Sequence, residues 1–410
     1  MPKPFSFSVS NLYVHVPFCA QKCAYCAFYS EASSGELINR YVNALICEME
    51  LVAADLKPRT IFFGGGTPSL LNLRQWEEIL RAMERLNLLG AEEFTVECNP
   101  ATVSTDKAKL LRDFGVNRIS MGVQSLDENL LDRLGRIHSR EMVFKSIDIL
   151  RQAGFDNLNL DLMFAIPGQT MEIWRDTLNE AVAMGSEHLS SYEVIYEEDT
   201  PLFAQLKAGE FDVNEDLACA MYEELVECST AAGFQQYEVA NFARHARGTN
   251  GTLESWGNET ASGQHPIIPS LHHSIPSHAC RHNVNYWRGG SFYGLGPSAT
   301  GYVRGVRTKN WSNTQLYCEQ LEKGKRAIES SEELPPLRRA GETAAFGLRM
   351  NAGWPFEQFR ETTGHDLRAE WAGEMNRCVE QGWGQITSDN FKLTRQGLRF
   401  ADSAAELFLR

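Results

Sequence analysis

Cys19, Cys23 and Cys26 fall within eight residues, in the run Leu12-Tyr-Val-His-Val-Pro-Phe-Cys-Ala-Gln-Lys-Cys-Ala-Tyr-Cys-Ala-Phe-Tyr29. Three thiols so close cannot all pair with one another as disulfides, and core packing does not explain their C-x3-C-x2-C spacing. As thiolates they can wrap one corner of an iron–sulfur cube and hold three of its irons. Such clusters normally have four cysteine ligands. No fourth cysteine follows at a local spacing, which would leave one iron open to a small molecule. A structural zinc site is the alternative. Zinc takes four ligands in a closed tetrahedron, and the neighbouring His15 is then the candidate for the fourth.

Further polar and glycine residues recur where short apolar runs end. Arg59-Thr-Ile-Phe-Phe63 runs into Gly64-Gly-Gly-Thr-Pro-Ser69, and Glu97 lies in Glu93-Phe-Thr-Val-Glu-Cys-Asn-Pro100. Gln124 closes a run that begins at Arg118, and Asp161 lies within Leu158 to Phe164, ahead of Pro167 and Gly168. A glycine turn lets a backbone approach a ligand, and a lone carboxylate at a strand end can equally be a cap or a local ion pair.

The elements that must position these residues alternate in type. Helical periodicity over 36–56, 73–86 and from about 106, 140 and 171 separates six strand-like runs, of which the first is 12–16 and the last 188–195. Strand–helix alternation of this kind means parallel strands with crossover helices. Six units predict a partial (β/α)6 barrel rather than a closed eightfold one, with its site at the C-terminal ends of the strands. One more strand is expected over 237–243, and a loop rich in Gly, Ser and His over 247–277.

The chain divides into a barrel core over 1–245, an insertion over 246–279, an aromatic and glycine-dense segment over 280–333 and a smaller unit over 334–410. Helices from Pro335 and from Trp354, a third over 366–381, a hairpin and a last helix over 395–409 predict a winged-helix-like domain in that last unit. Its ten Lys or Arg balance ten Asp or Glu, and the whole chain of 410 residues carries a formal charge of −14. Both facts argue against nucleic-acid binding, which needs a basic face. No apolar run is long enough to span a membrane, and the first residues lack the pattern of a signal peptide. A cytoplasmic protein is expected, without stable membrane insertion. Its ten cysteines are then thiols or ligands rather than disulfides. Cys47, Cys219, Cys228, Cys318 and Cys378 read as packing residues.

Taken together, the motifs resemble the radical S-adenosylmethionine (SAM) superfamily, and within it the group of oxygen-independent coproporphyrinogen oxidases and HemW heme chaperones. The cysteine motif carries the first resemblance. Gly64-Gly-Gly-Thr-Pro, Glu97-Cys-Asn-Pro, Gly122-Val-Gln-Ser and Asp161-Leu-Met-Phe-Ala-Ile-Pro-Gly carry the second, over about 11–302. The resemblance implies a [4Fe-4S] cluster on Cys19, Cys23 and Cys26, with the amino and carboxylate groups of SAM on the open iron. One electron from the cluster would cleave SAM to methionine and a 5′-deoxyadenosyl radical. The resemblance also places Gly65, Gly66 and Thr67 at the SAM amino group, with side chains excluded there so that the ligand can approach. Glu97 would face the methionine part, Arg136 the SAM carboxylate, Asp161 the ribose hydroxyls and Tyr25 the adenine. Tyr13 and Gln124 would add further SAM contacts.

Two positions separate the branches. The oxidases carry a fourth cysteine two residues after the third, where this chain has Phe28. His282-Asn-Val-Asn-Tyr-Trp287 resembles the H-N-x-x-Y-W motif of the HemW branch, whose histidine is linked to heme; Cys280 is a second candidate contact. The leading expectation is a heme chaperone that binds heme through His282 and passes it to an acceptor protein. A flavodoxin- or ferredoxin-like electron donor would reduce its cluster. Oxidative decarboxylation of coproporphyrinogen III and radical modification of heme are the alternatives. Residues 247–277 exceed the family's usual length and read as a neutral insertion, ahead of a flexible lid or a metal- or heme-docking loop.

Overall fold

The structure, a computed structural model, describes residues 8–32, 35–246 and 275–409. Six strands run parallel in chain order: β1 (Val9–Val16), β2 (Leu56–Gly65), β3 (Glu93–Cys98), β4 (Arg118–Gln124), β5 (Leu158–Phe164) and β6 (His188–Glu193). Helices pack across this sheet: α1 (Gly35–Val52), α2 (Leu73–Arg85), α3 (Thr105–Asp113), α4 (Glu128–Leu134), α5 (Arg140–Gln152) and α6 (Met171–Ala183). Parallel strands covered by helices need apolar side chains along their length. Ile61, Phe63, Val96, Ile119, Met121, Leu160 and Leu162 are accordingly buried in one core. The helices start where a side chain can accept an orphan amide. Asn72, Ser104, Asp127, Ser139 and Thr170 each do so.

The sheet is larger than the six expected units. Beyond β6 the chain forms α7 (Pro201–Lys207) and α8 (Glu215–Ala231), and then a hairpin of β7 (Gln235–Glu238) and β8 (Asn241–Ala243). The single strand expected over 237–243 is thus a tight turn between two strands, and β8 lies antiparallel to β6. Past α9 (Arg281–Trp287), β9 (Tyr293–Leu295) pairs in parallel with β1. The order is β7-β8-β6-β5-β4-β3-β2-β1-β9, an open sheet rather than a closed barrel. Gly296, just after β9, has a φ of +96°, and a Cβ there would stand 2.3 Å from the carbonyl oxygen of His15. The insertion expected over 246–279 lies, from 247 to 274, outside the described residues.

Residues 300–333 add an antiparallel sheet of β10 (Thr300–Val303), β11 (Val306–Asn310) and β12 (Ile328–Glu333), with α10 (Thr314–Glu322) between the last two. The C-terminal unit begins with α11 (Pro336–Gly347), where Pro336 suits the first helical position. It has its own core around Trp354, Phe359, Trp371, Phe391 and Phe408, and a three-stranded antiparallel sheet. The helices expected over 366–381 and 395–409 are each broken in two. The breaks fall at Trp371 and Phe400. Trp371 leaves helical geometry with its ring buried and its Nε1 donating to the Phe408 carbonyl at 3.1 Å. Among the described residues no helix is long and apolar enough to cross a membrane.

One buried carboxylate ties this outer layer to the barrel. Glu48 of α1 is fully buried and accepts from the Gly296 amide (2.9 Å), Asn310 Nδ2 (2.8 Å) and the Tyr317 hydroxyl (2.7 Å). Burial raises its pKa. Truncation would leave the Gly296 amide and the Tyr317 hydroxyl without this acceptor, each a penalty of its own, and Asn310 Nδ2 with only the Gly296 carbonyl. Glu48→Ala is expected to destabilise the protein by about 3 kcal/mol, read as a fall in the urea midpoint.

Candidate functional site

The cysteine loop is pinned at both ends and in its middle. At its ends Phe18 bridges Glu31, the Glu31 amide donates to the Pro17 carbonyl at 2.7 Å, and the Cys19 amide to Glu31 at 3.2 Å. In the middle, the Ala24 amide donates to Leu134 of α4, and the Ala24 carbonyl accepts from Leu202 of α7, both at 2.9 Å. Gly135 follows α4 in left-handed geometry and meets the loop backbone, since a Cβ on it would reach 3.4 Å from the Ala24 nitrogen. Tyr25 anchors the loop in an apolar cluster that includes Leu130, Leu134, Met163, Val194 and Leu202. The loop therefore reaches from the end of β1 to the segments following β4 and β6, with all three cysteines half-buried. Burial pushes the Cys26 thiol up.

The glycine turn after β2 extends the β1–β2 ladder into this loop. Gly66 donates to the Val16 carbonyl and Thr67 to the Phe18 carbonyl, both at 2.8 Å, and Thr67 Oγ1 lies 3.5 Å from Cys19 Sγ. A Cβ on Gly65 would stand 2.4 Å from the His15 ring, and one on Gly66 would stand 2.8 Å from the Val16 and Phe18 oxygens. The protein's own close packing already requires glycine.

Around the turn, β3, β4 and β5 present the remaining polar groups. Glu97 Oε2 accepts from the Gly65 amide at 3.1 Å. Burial, and then the neighbouring charge of Asp161, raise the Glu97 carboxyl from 4.5 to about 8. Asp161 accepts from Ser120 Oγ (3.0 Å) and Asn159 Nδ2 (2.8 Å), and burial raises it as well. Arg136 reaches back over β4. Its Nη2 donates to the Gly122 carbonyl at 2.6 Å, its Nη1 lies 3.5 Å from Cys23 Sγ, and its buried Nε has no partner among the described residues. Gln124 has a φ of +66° and Ala165, past β5, one of +56°. Non-glycine residues in that region carry strain of the kind that collects at functional sites.

These residues fit the cofactors expected. Three half-exposed thiols sit beside a guanidinium and a hydroxyl that can donate to sulfur. The unsatisfied Nε of Arg136 adds a donor suited to a carboxylate. The zinc alternative does not fit. Both His15 nitrogens are engaged, Nδ1 with the Tyr13 hydroxyl at 3.0 Å and Nε2 with the Tyr29 carbonyl at 2.8 Å. No three His, Cys, Asp or Glu among the described residues gather around one ion. A cluster that gives each thiolate its own iron does not need them to.

His282 is elsewhere. It lies in α9 at 1% exposure, with Nδ1 at 2.8 Å from Thr60 Oγ1 and Nε2 at 2.7 Å from the Tyr286 hydroxyl. Burial lowers its pKa to about 3. With both nitrogens partnered and the ring buried, it does not fit the expected role of heme ligand. Cys280 is also fully buried, with Sγ 3.6 Å from Glu93 Oε1. Phe28 is 69% exposed on the cysteine loop.

Sequence reasoning missed Glu93. Its carboxylate receives the amides of Arg281 (2.8 Å) and His282 (2.9 Å), fixing the start of α9. It read only as the first residue of a strand, and its partners lie almost 190 positions away.

Residues 13–181 match the radical SAM superfamily and residues 334–400 the HemN C-terminal domain. The heme chaperone HemW of Lactococcus lactis is 31% identical over 402 residues, covering 98% of this chain and 97% of that protein. The heme chaperone HemW of Escherichia coli is 31% identical over 411 residues, covering 97% and 98%. Among solved structures, coproporphyrinogen III oxidase (HemN) from Escherichia coli, a radical SAM enzyme, superposes with a TM-score of 0.79. That likeness spans 98% of this chain and 91% of the other at 19% identity, and is one of fold.

Two measurements check the site. Cys23→Ala, reconstituted anaerobically with iron and sulfide, should lose the broad iron–sulfur absorbance and retain far fewer than the roughly four irons per chain expected of a cubane. In the cofactor-free protein, the folded state holds the Glu97 proton at pH values where the unfolded chain has released it. Stability from this group is full below 4.5 and is lost as pH rises through about 8. Glu97→Gln should flatten the decline in melting temperature across that window.

Proposed function

This chain belongs to the HemW family of radical SAM proteins, and we propose that it works as a heme chaperone, receiving heme and delivering it to an acceptor protein. The observation that carries this reading is end-to-end likeness, at about three residues in ten, to heme chaperones from Lactococcus lactis and Escherichia coli. Phe28 supports it over the oxidase reading, because the position where the oxidases carry a fourth cysteine holds an exposed aromatic here. The likeness to the solved oxidase extends to the fold and not to its reaction.

Radical SAM proteins hold a [4Fe-4S] cluster and SAM, which when bound supply one-electron cleavage of a carbon–sulfur bond. Cys19, Cys23 and Cys26 are the thiolates for that cluster. Thr67 Oγ1 and Arg136 Nη1, beside two of the sulfurs, offset their negative charge. Arg136 is assigned to the SAM carboxylate, and Glu97 to its methionine part through the carboxyl that the Gly65 amide holds in place. Asp161 is assigned to the ribose hydroxyls; Ser120 and Asn159 fix its orientation. Gly65, Gly66 and Thr67 are assigned to the SAM amino group, Tyr25 to the adenine, and Tyr13 and Gln124 to further contacts. A flavodoxin- or ferredoxin-like protein in the cytoplasm is the proposed source of electrons.

The deciding experiment gives anaerobically reconstituted protein two tasks. Titrated with heme, it should develop a saturable Soret band and then lose it to a heme-accepting apoprotein. Incubated with coproporphyrinogen III, SAM and dithionite, it should form no protoporphyrinogen. Turnover in the second assay, or no heme binding in the first, would contradict the reading.

A further inference from the structure

We infer that His282 is a positioning residue for the cysteine loop rather than a ligand of heme iron. Its ring is the middle of a hydrogen-bond chain whose proton order is set by its ends. Thr60 Oγ1 donates to Asn11 Oδ1 at 2.8 Å, so the hydroxyl accepts from His282 Nδ1–H. Nε2 is then the acceptor for the Tyr286 hydroxyl. Asn11 Nδ2 in turn donates to the Ser291 carbonyl at 3.1 Å. One neutral tautomer thus brackets α9, β2, β1 and the turn before β9 together. The backbone is fixed as well, because Glu93 holds the amides of Arg281 and His282. Binding an iron through Nε2 would take that nitrogen from the Tyr286 hydroxyl, and bringing a heme face to a ring that is 1% exposed would open the seam between these elements.

The bracket leads to the cluster loop by packing and then by hydrogen bonds. The His282 ring stacks on Phe62 at 5.3 Å and lies 6.4 Å from the Tyr13 ring, with Phe62 and Tyr13 6.2 Å apart. The Tyr13 hydroxyl meets His15 Nδ1, and His15 Nε2 meets the carbonyl of Tyr29, three residues beyond Cys26. This path has little room to give. Gly65 lies directly under the His15 ring and Gly296 against the His15 carbonyl, and neither position admits a Cβ. Loss of the imidazole removes the backing of Tyr13, and with it the contact that sets where the loop returns to the barrel.

The test compares His282→Gln, which can donate and accept but is a poor iron ligand, with Thr60→Val, which removes the Nδ1 partner and keeps the imidazole. Tyr286→Phe, removing the Nε2 partner, replaces the glutamine variant if that chain does not fold. Each is reconstituted and read for melting temperature, for the electron paramagnetic resonance of the reduced cluster with SAM, and for heme affinity and Soret position. Both variants should melt lower and show altered cluster g-values. The Soret position should hold, with heme affinity within about twofold of the parent, or reduced equally in the two variants. A loss of about tenfold or more in heme affinity in His282→Gln alone, with Thr60→Val at the parent value, would overturn the inference. Parent-like cluster signals in both variants would overturn it too. The heme arm rests on the proposed heme carriage. A parent protein that binds no heme would refute that carriage, while the melting and cluster arms would still decide the bracket.

Discussion

The short ladder between Val16–Phe18 and Gly66–Thr67 is the constraint on which the rest depends. A loop with three thiolates has no fold of its own, and its sulfurs can share a cluster only if its backbone is held from outside. Two backbone hydrogen bonds prolong the β1–β2 pairing beyond the strands and fix where Cys19 begins. The glycines of the turn make that possible, since side chains at 65 and 66 would strike His15 and the partner backbone. Contacts from α4 and α7 then carry the loop across the strand ends. Cluster, glycine turn and sheet are in this sense one structure.

The polar groups near the loop are arranged at a cost that binding can offset. Glu97 and Asp161 sit on strands separated by β4, both with raised pKa values because water is scarce there. Among the described residues Arg136 keeps one nitrogen unsatisfied, and Gln124 and Ala165 hold strained backbone angles. Unpaired donors and strain persist where a folded scaffold over-determines them. A zwitterionic ligand carrying both a carboxylate and an ammonium group matches the opposite charges that this region can present.

Much of this was legible in the sequence. The strands bearing Gln124 and Asp161 were bounded to the residue, because apolar runs ending in glycine or polar residues mark buried parallel strands. The cysteine spacing and the strand-end motifs picked out residues on the loop after β1 and on neighbouring strands of one sheet. What escaped depended on distance along the chain. Pairing of β9 with β1 joins positions some 280 apart, and no local pattern announces it. Glu48 and Glu93 looked like ordinary helix and strand residues, and their partners lie in segments that were read without secondary structure. His282 shows a different limit. A motif gives the residue type and its neighbours, but exposure decides whether an imidazole can reach iron, and exposure is a property of the fold.

The central claim is that the three-cysteine loop leaves one iron of its cluster for SAM. Electron–nuclear double resonance on the reduced, reconstituted protein, with SAM labelled at its carboxylate carbon, tests it directly. Coupling between the label and the cluster spin is the predicted result. A reduced cluster that shows no coupling at saturating SAM would contradict the account.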